Sequence, residues 1–205
     1  MTDPTQSLKD DIAFLRELTH DSGQGMAREG ATMLTVGAVF SVVTFIYWLM
    51  YAGLLGPAWR IGYVLWAAGV AAMVVISLVL KQRLPGASGA TARAIGAAWG
   101  GTGISMLAAC GGMLIGAFRI GNPNLVLWIF PIVLFTLYGA GWGVAYAARR
   151  RGWFAWIALG CFLTAGVEGA LLGTPFQWLI LSLGLLAWVA IPGAVILQQA
   201  SARAT

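Results

Sequence analysis

The chain has 205 residues, of which 60% are hydrophobic and only 9% charged, with a mean hydropathy of +0.83 and a formal charge of +5. A soluble domain carries about one quarter charged residues, so this composition excludes a water-soluble globular fold and implies an integral membrane protein. Nor is the positive charge a nucleic-acid footprint: the basic residues stand at the ends of apolar stretches, where membrane topology accounts for them.

Residues 1–30 are polar and hold six acids (Asp3, Asp10, Asp11, Glu17, Asp21, Glu29) against three bases, the opposite of a basic, then apolar, cleavable signal. Ser7-Leu8-Lys9-Asp10 has the form of a capping box. Over 8–20 the helical period gathers Leu8, Ile12, Phe14, Leu15 and Leu18 on one face and Lys9, Asp10, Arg16, Glu17 and His20 on the other. Gly23 and Gly25 are expected to end this amphipathic helix. Two readings of it stand open: a helix lying at the membrane surface or against its own bundle, or a docking element that enters a partner's groove. An acidic helix is not drawn to an anionic leaflet, so it is expected to lean on the protein's own basic loops or on a partner.

Six apolar stretches of spanning length follow, at 31–55, 59–80, 94–118, 125–147, 153–172 and 176–197, and 198–205 forms a short tail. The expected fold is therefore all-α: a six-helix transmembrane bundle over 31–197 in up-and-down hairpins, preceded by the cytoplasmic amphipathic helix. Short connectors predict that consecutive helices are antiparallel neighbours. The third stretch holds seven glycines, each costing about 1 kcal/mol against alanine in a soluble helix. In a bilayer, small residues let helices approach closely. Gly96 and Gly100, with Gly112, Gly116 and Ala108, are accordingly expected to form the packing spine of the bundle.

Ten of the twelve Lys and Arg fall on one side of this topology and only Arg60 and Arg119 on the other. That asymmetry predicts both termini in the cytoplasm. Arg149, Arg150 and Arg151 are expected to determine topology and to meet acidic lipid headgroups. The three outer turns share a pattern, Gly56-Pro57, Gly121-Asn122-Pro123 and Gly173-Thr174-Pro175, each followed by Trp (Trp59, Trp128, Trp178), which suggests three successive hairpins. Pro131 and Pro192 fall inside the fourth and sixth helices and are expected to bend them.

Glu168 is the one acid in residues 30–205. An ionisable group in a span is costly to bury and marks a structural or functional site. The expected structural role is an ion pair with Arg119 or Arg60, or a hydrogen-bonded acid; the alternative is a proton or cation site. The few hydroxyls in the spans can bond their own helix carbonyls and require no hydrophilic path. Trp48, Tyr47, Tyr51, Trp59 and Trp66 suit an interfacial belt or a cleft for a hydrophobic ligand. No metal-ligand cluster, cofactor motif, nucleophile–base pair or phosphate loop occurs, and Cys110 and Cys161 stand alone, so no cofactor, metal or catalytic residue is expected.

The segment DIAFLREL, a polar Gly-containing linker and six spans together resemble a set of bacterial inner-membrane proteins of no assigned activity that open with an I-A-F-I/L-R helix. The resemblance implies a multi-pass inner-membrane location and transfers no site residues. The expected role is a non-catalytic interaction or accessory protein, possible within a larger assembly or as a homo-oligomer. A small transporter or carrier of a lipid or hydrophobic molecule using Glu168 is the alternative, and a sensor signalling through the N-terminal helix is the third.

Overall fold

A computed structural model describes residues 23–55, 59–83, 90–122 and 124–202, and the side chains within them except at 23–26, 59–63, 81, 90 and 92. The amphipathic helix expected over 8–20, with Leu8, Ile12, Phe14, Leu15 and Leu18, lies outside the described residues. The rest is helical, with no strand among the described residues. The helices are α1 (Gly23–Tyr51), α2 (Trp59–Arg83), α3 (Ala90–Ile120), α4 (Asn124–Arg149), α5 (Gly152–Ala170) and α6 (Phe176–Ser201). Five of them are long and apolar enough to cross a membrane, and α2 carries a shorter apolar run, Val64–Leu80.

Boundaries differ from expectation mainly in α1. Over the described residues it runs 29 residues from Gly23, so Gly25 lies inside a helix, while the helix that Gly23 and Gly25 are expected to end lies outside the described residues. The end of α1 falls at Tyr51, because Gly53 takes a left-handed φ of +76° that no helix continues. Gly121 (φ +73°) and Gly173 (φ +76°) make the same reversal at the other two turns on this end of the bundle. The three turns therefore share one backbone device.

α1 is the organising element. It packs along the full length of α6 and also carries α2, while α4 pairs with α5 and α3 lies on α4. The expected adjacency of consecutive helices fails once: α2 rests on α1 and α3 on α4, with no extended interface between α2 and α3.

The expected packing spine is also displaced. Only 6% of the apolar window of α3 is buried, and a Cβ added at Gly96, Gly100, Gly112 or Gly116 would meet nothing within 4 Å; Ala108 is exposed. The close approach occurs between α1 and α6. There a Cβ at Gly37 would fall 2.4 Å from Ala190 N, one at Gly30 2.7 Å from Leu197 N, and one at Gly193 2.4 Å from Leu34 N. Glycine density marks where a helix tolerates a close neighbour; the register between two distant segments decides where that neighbour is.

The core lies between α4, α5 and α6, where Phe135, Trp142, Phe154 and Cys161 are fully buried. Small residues again make room: Gly184 accepts the Phe135 ring and Gly160 the Trp188 ring. Polar groups clamp the helices. Ser41 Oγ donates to Ser182 O at 2.9 Å and Ser182 Oγ to Ser41 O at 2.8 Å, a reciprocal pair joining α1 to α6. Thr44, Thr136 and Thr164 return their hydroxyls to carbonyls four residues back, as expected. Tyr47 packs between Trp66 and Trp178, so those rings fill space rather than line a cleft.

α6 changes pitch on the way: residues Leu186–Ala190 form a π-turn immediately before Pro192. Proline cannot supply the N–H that an α-helix would aim at Trp188 O. The indole of Trp142 on α4 takes that place, Nε1 donating to Trp188 O at 3.1 Å.

Candidate functional site

The period of α5 puts Phe154, Ile157, Ala158, Cys161, Ala165 and Glu168 on its inner face. Glu168, in the last turn, is therefore carried into the bundle with 0% exposure. Across the turn 171–175 stands Gln177, 2% exposed. Its amide is committed on both sides: Nε2 donates to Trp128 O on α4 at 2.6 Å, and Oε1 accepts from Gly173 N at 3.2 Å. Gln177 is the polar side chain beside the carboxyl, yet neither Glu168 oxygen has a hydrogen-bond partner of ordinary geometry.

The expected ion pair is not formed with Arg119. That residue is exposed at the end of α3, a helix that packs on α4 and not on α5. The side chain of Arg60 lies outside the described residues. The salt bridge that does form joins the other end of the bundle: Arg149 Nη2 to Glu29 Oε2 at 3.3 Å, with side chains 6% and 17% exposed. Arg151 Nη1 donates to Gln199 Oε1 at 2.8 Å. Two of the three arginines expected at lipid headgroups are thus engaged within the chain, and Arg150 alone is exposed, in a left-handed conformation (φ 53°) that turns the chain from α4 into α5.

These two links place Glu29 near the start of α1, the triple arginine and Gln199 near the end of α6 at one end of the bundle. Glu168, Gln177 and the three glycine turns occupy the other. Sequence reasoning missed Gln177 and Glu29 as members of these clusters. The signals were present: Gln177 stands two residues after the turn 171–175 and Glu168 three residues before it, and Glu29 is the acid nearest the first apolar stretch on the arginine side.

Among the described residues no group of three or more His, Cys, Asp or Glu could hold a metal ion. No protein-family model, curated protein or solved structure matches the chain.

Proposed function

We propose that the protein is a non-catalytic interaction or accessory subunit of the bacterial inner membrane, with both termini in the cytoplasm, docking through α3 onto a helix of a partner protein or of a second copy. The observation that supports this is the two uncovered glycine pairs of α3, Gly96–Gly100 and Gly112–Gly116, which lie about 160° apart around the helix. A Cβ at Gly96, Gly100, Gly112 or Gly116 meets nothing within 4 Å among the described residues. Lipid tails contact large apolar side chains as readily as small ones, so a glycine row has a use only where another helix comes close. The helix otherwise carries the cost of seven glycines, about 1 kcal/mol each on a soluble-helix scale, without return. The bias of Lys and Arg toward the end shared by Glu29 and Gln199 supports the cytoplasmic assignment of that end.

Site-specific photo-crosslinking in the native membrane tests the reading. A photoreactive residue at Leu107, 76% exposed on α3, is expected to give a protein adduct of one discrete mass. The same probe at Leu163, 63% exposed on α5, serves as the lipid-facing control. Lipid adducts alone at Leu107 would overturn the docking role of α3. The carrier reading retains one observation of its own, the buried and unpartnered Glu168.

A further inference from the structure

We propose that Glu168, with Gln177 and the neighbouring backbone of α4, forms a binding site for one small monovalent cation, a proton or an alkali ion, whichever partner covers α3. Five polar or charged side chains are buried among the described residues: Ser41, Thr44, Glu168, Gln177 and Ser182. Four of them are hydrogen-bonded. Glu168 is the exception, and it is the one that carries acid chemistry. A carboxylate offers about four acceptor sites, and leaving them bare in an apolar interior is strongly unfavourable. A purely structural acid would be tied to a fixed donor or an arginine. Among the described residues no arginine meets it, and Gln177, the one polar side chain beside it, makes no hydrogen bond of ordinary geometry to it, so a group beyond the described residues is needed to satisfy this carboxyl in full.

Charge sets the class of that group. One carboxylate balances one positive charge, and with no second acid beside it a divalent ion would stay uncompensated in low dielectric. The remaining donors are oxygens, suited to a hard cation. Gln177 Oε1 accepts one hydrogen and keeps a second lone pair. One residue before Trp128, Leu127 O has no helical donor, because position 131 is proline. The corner is lightly built on the outer side: Gly169 has only Ile132 Cδ1 near it, at 3.8 Å, and Gly173 only Trp128, at 4.0 Å.

Among the described residues packed on α5, no other charged group stands near Glu168. Of the helices packed on α5, α6 has no titratable side chain, and α4 has Tyr138, Tyr146 and Arg149. Tyr138 neighbours Cys161, which is seven residues or about 10 Å inward of Glu168 on α5, and Arg149 lies at the opposite end.

The test compares wild type with Glu168→Gln as intact purified proteins in detergent. Unfolding temperature is followed in sodium, potassium and choline chloride, and across about pH 5 to about pH 9 in choline. A bound cation stabilises the state that binds it. Wild type is expected to be stabilised relative to Glu168→Gln by sodium or potassium at fixed pH, if the ligand is an alkali ion. If it is a proton, the difference between the two proteins changes with pH in choline alone. A difference that is flat in both arms overturns the site. Should Glu168→Gln fail to fold, labelling of wild-type Glu168 by a hydrophobic carbodiimide, read by mass spectrometry, decides. Labelling is expected to fall about tenfold when the alkali cation stands at about ten times its Kd, or to follow pH alone for a proton. No labelling, or labelling indifferent to cation and pH, overturns the proposal.

Discussion

The indole of Trp142 donates to the carbonyl of Trp188, 3.1 Å away, at the position where Pro192 removes the helix's own donor. A proline that would otherwise leave a bare carbonyl inside a long apolar helix is thereby built into the joint between α4 and α6. The π-turn at Leu186–Ala190 is the local consequence, and it turns the Trp188 indole so that Nε1 donates to Thr164 Oγ1 on α5 at 2.9 Å. Three helices meet at one tryptophan.

Trp142→Phe keeps most of the ring volume and removes the donor. It is expected to lower stability by about 1–3 kcal/mol, the cost of an unsatisfied buried acceptor. Pro192→Ala restores an N–H for the same carbonyl, so the double variant is expected to lose less than the two single variants together. Thermal unfolding of the four proteins in detergent measures the coupling.

Glycines at the α1–α6 contact and on α3 are expected to behave oppositely. Gly37→Ala places a methyl carbon 2.4 Å from the backbone nitrogen of Ala190, which cannot move aside, and is expected to cost about 3 kcal/mol. Gly100→Ala meets open space and is expected to leave the isolated protein as stable or more so, by up to about 1 kcal/mol. Its effect is expected instead on the yield of the photo-crosslink from α3. Unfolding temperatures of the purified variants, with that yield, separate the two surfaces.

The Ser41–Ser182 clamp is expected to contribute about 0.6–1.7 kcal/mol, the range for interhelical hydrogen bonds in membranes. Ser41→Ala and Ser182→Ala each remove the bond that hydroxyl donates and leave the other, whose acceptor is a backbone carbonyl, so the double variant should cost close to the sum of the two. A double-mutant cycle on unfolding free energy gives the figure.

Glu29→Gln removes the carboxylate that the Arg149 guanidinium, 6% exposed, meets at 3.3 Å. Breaking a fully buried pair costs about 3–5 kcal/mol; with Glu29 at 17% exposure the expected loss is about 2 kcal/mol. Protease accessibility of the α4–α5 turn is expected to rise in parallel, since Arg149 anchors that turn to α1.

Solvent chemistry explains how much was legible beforehand. Apolar runs long enough to cross hydrocarbon, set between polar turns, gave the positions of the helices to within a few residues, because in lipid each backbone group must be satisfied inside its own segment. Glycine and proline at the outer turns, and hydroxyls returned to their own helices at Thr44 and Thr164, are local chemistry of the same kind. Which helix touches which is not local. Seven glycines in α3 suggest a close neighbour and cannot say whether it belongs to the same chain, whereas Gly30, Gly37 and Gly193 matter only because folding brings α1 onto α6 in one register. Glu168 stood out in the sequence as a lone acid, but its separation from Arg119, its nearness to Gln177 and its bare oxygens are relations between three helices and a turn, and only the tertiary packing decides them.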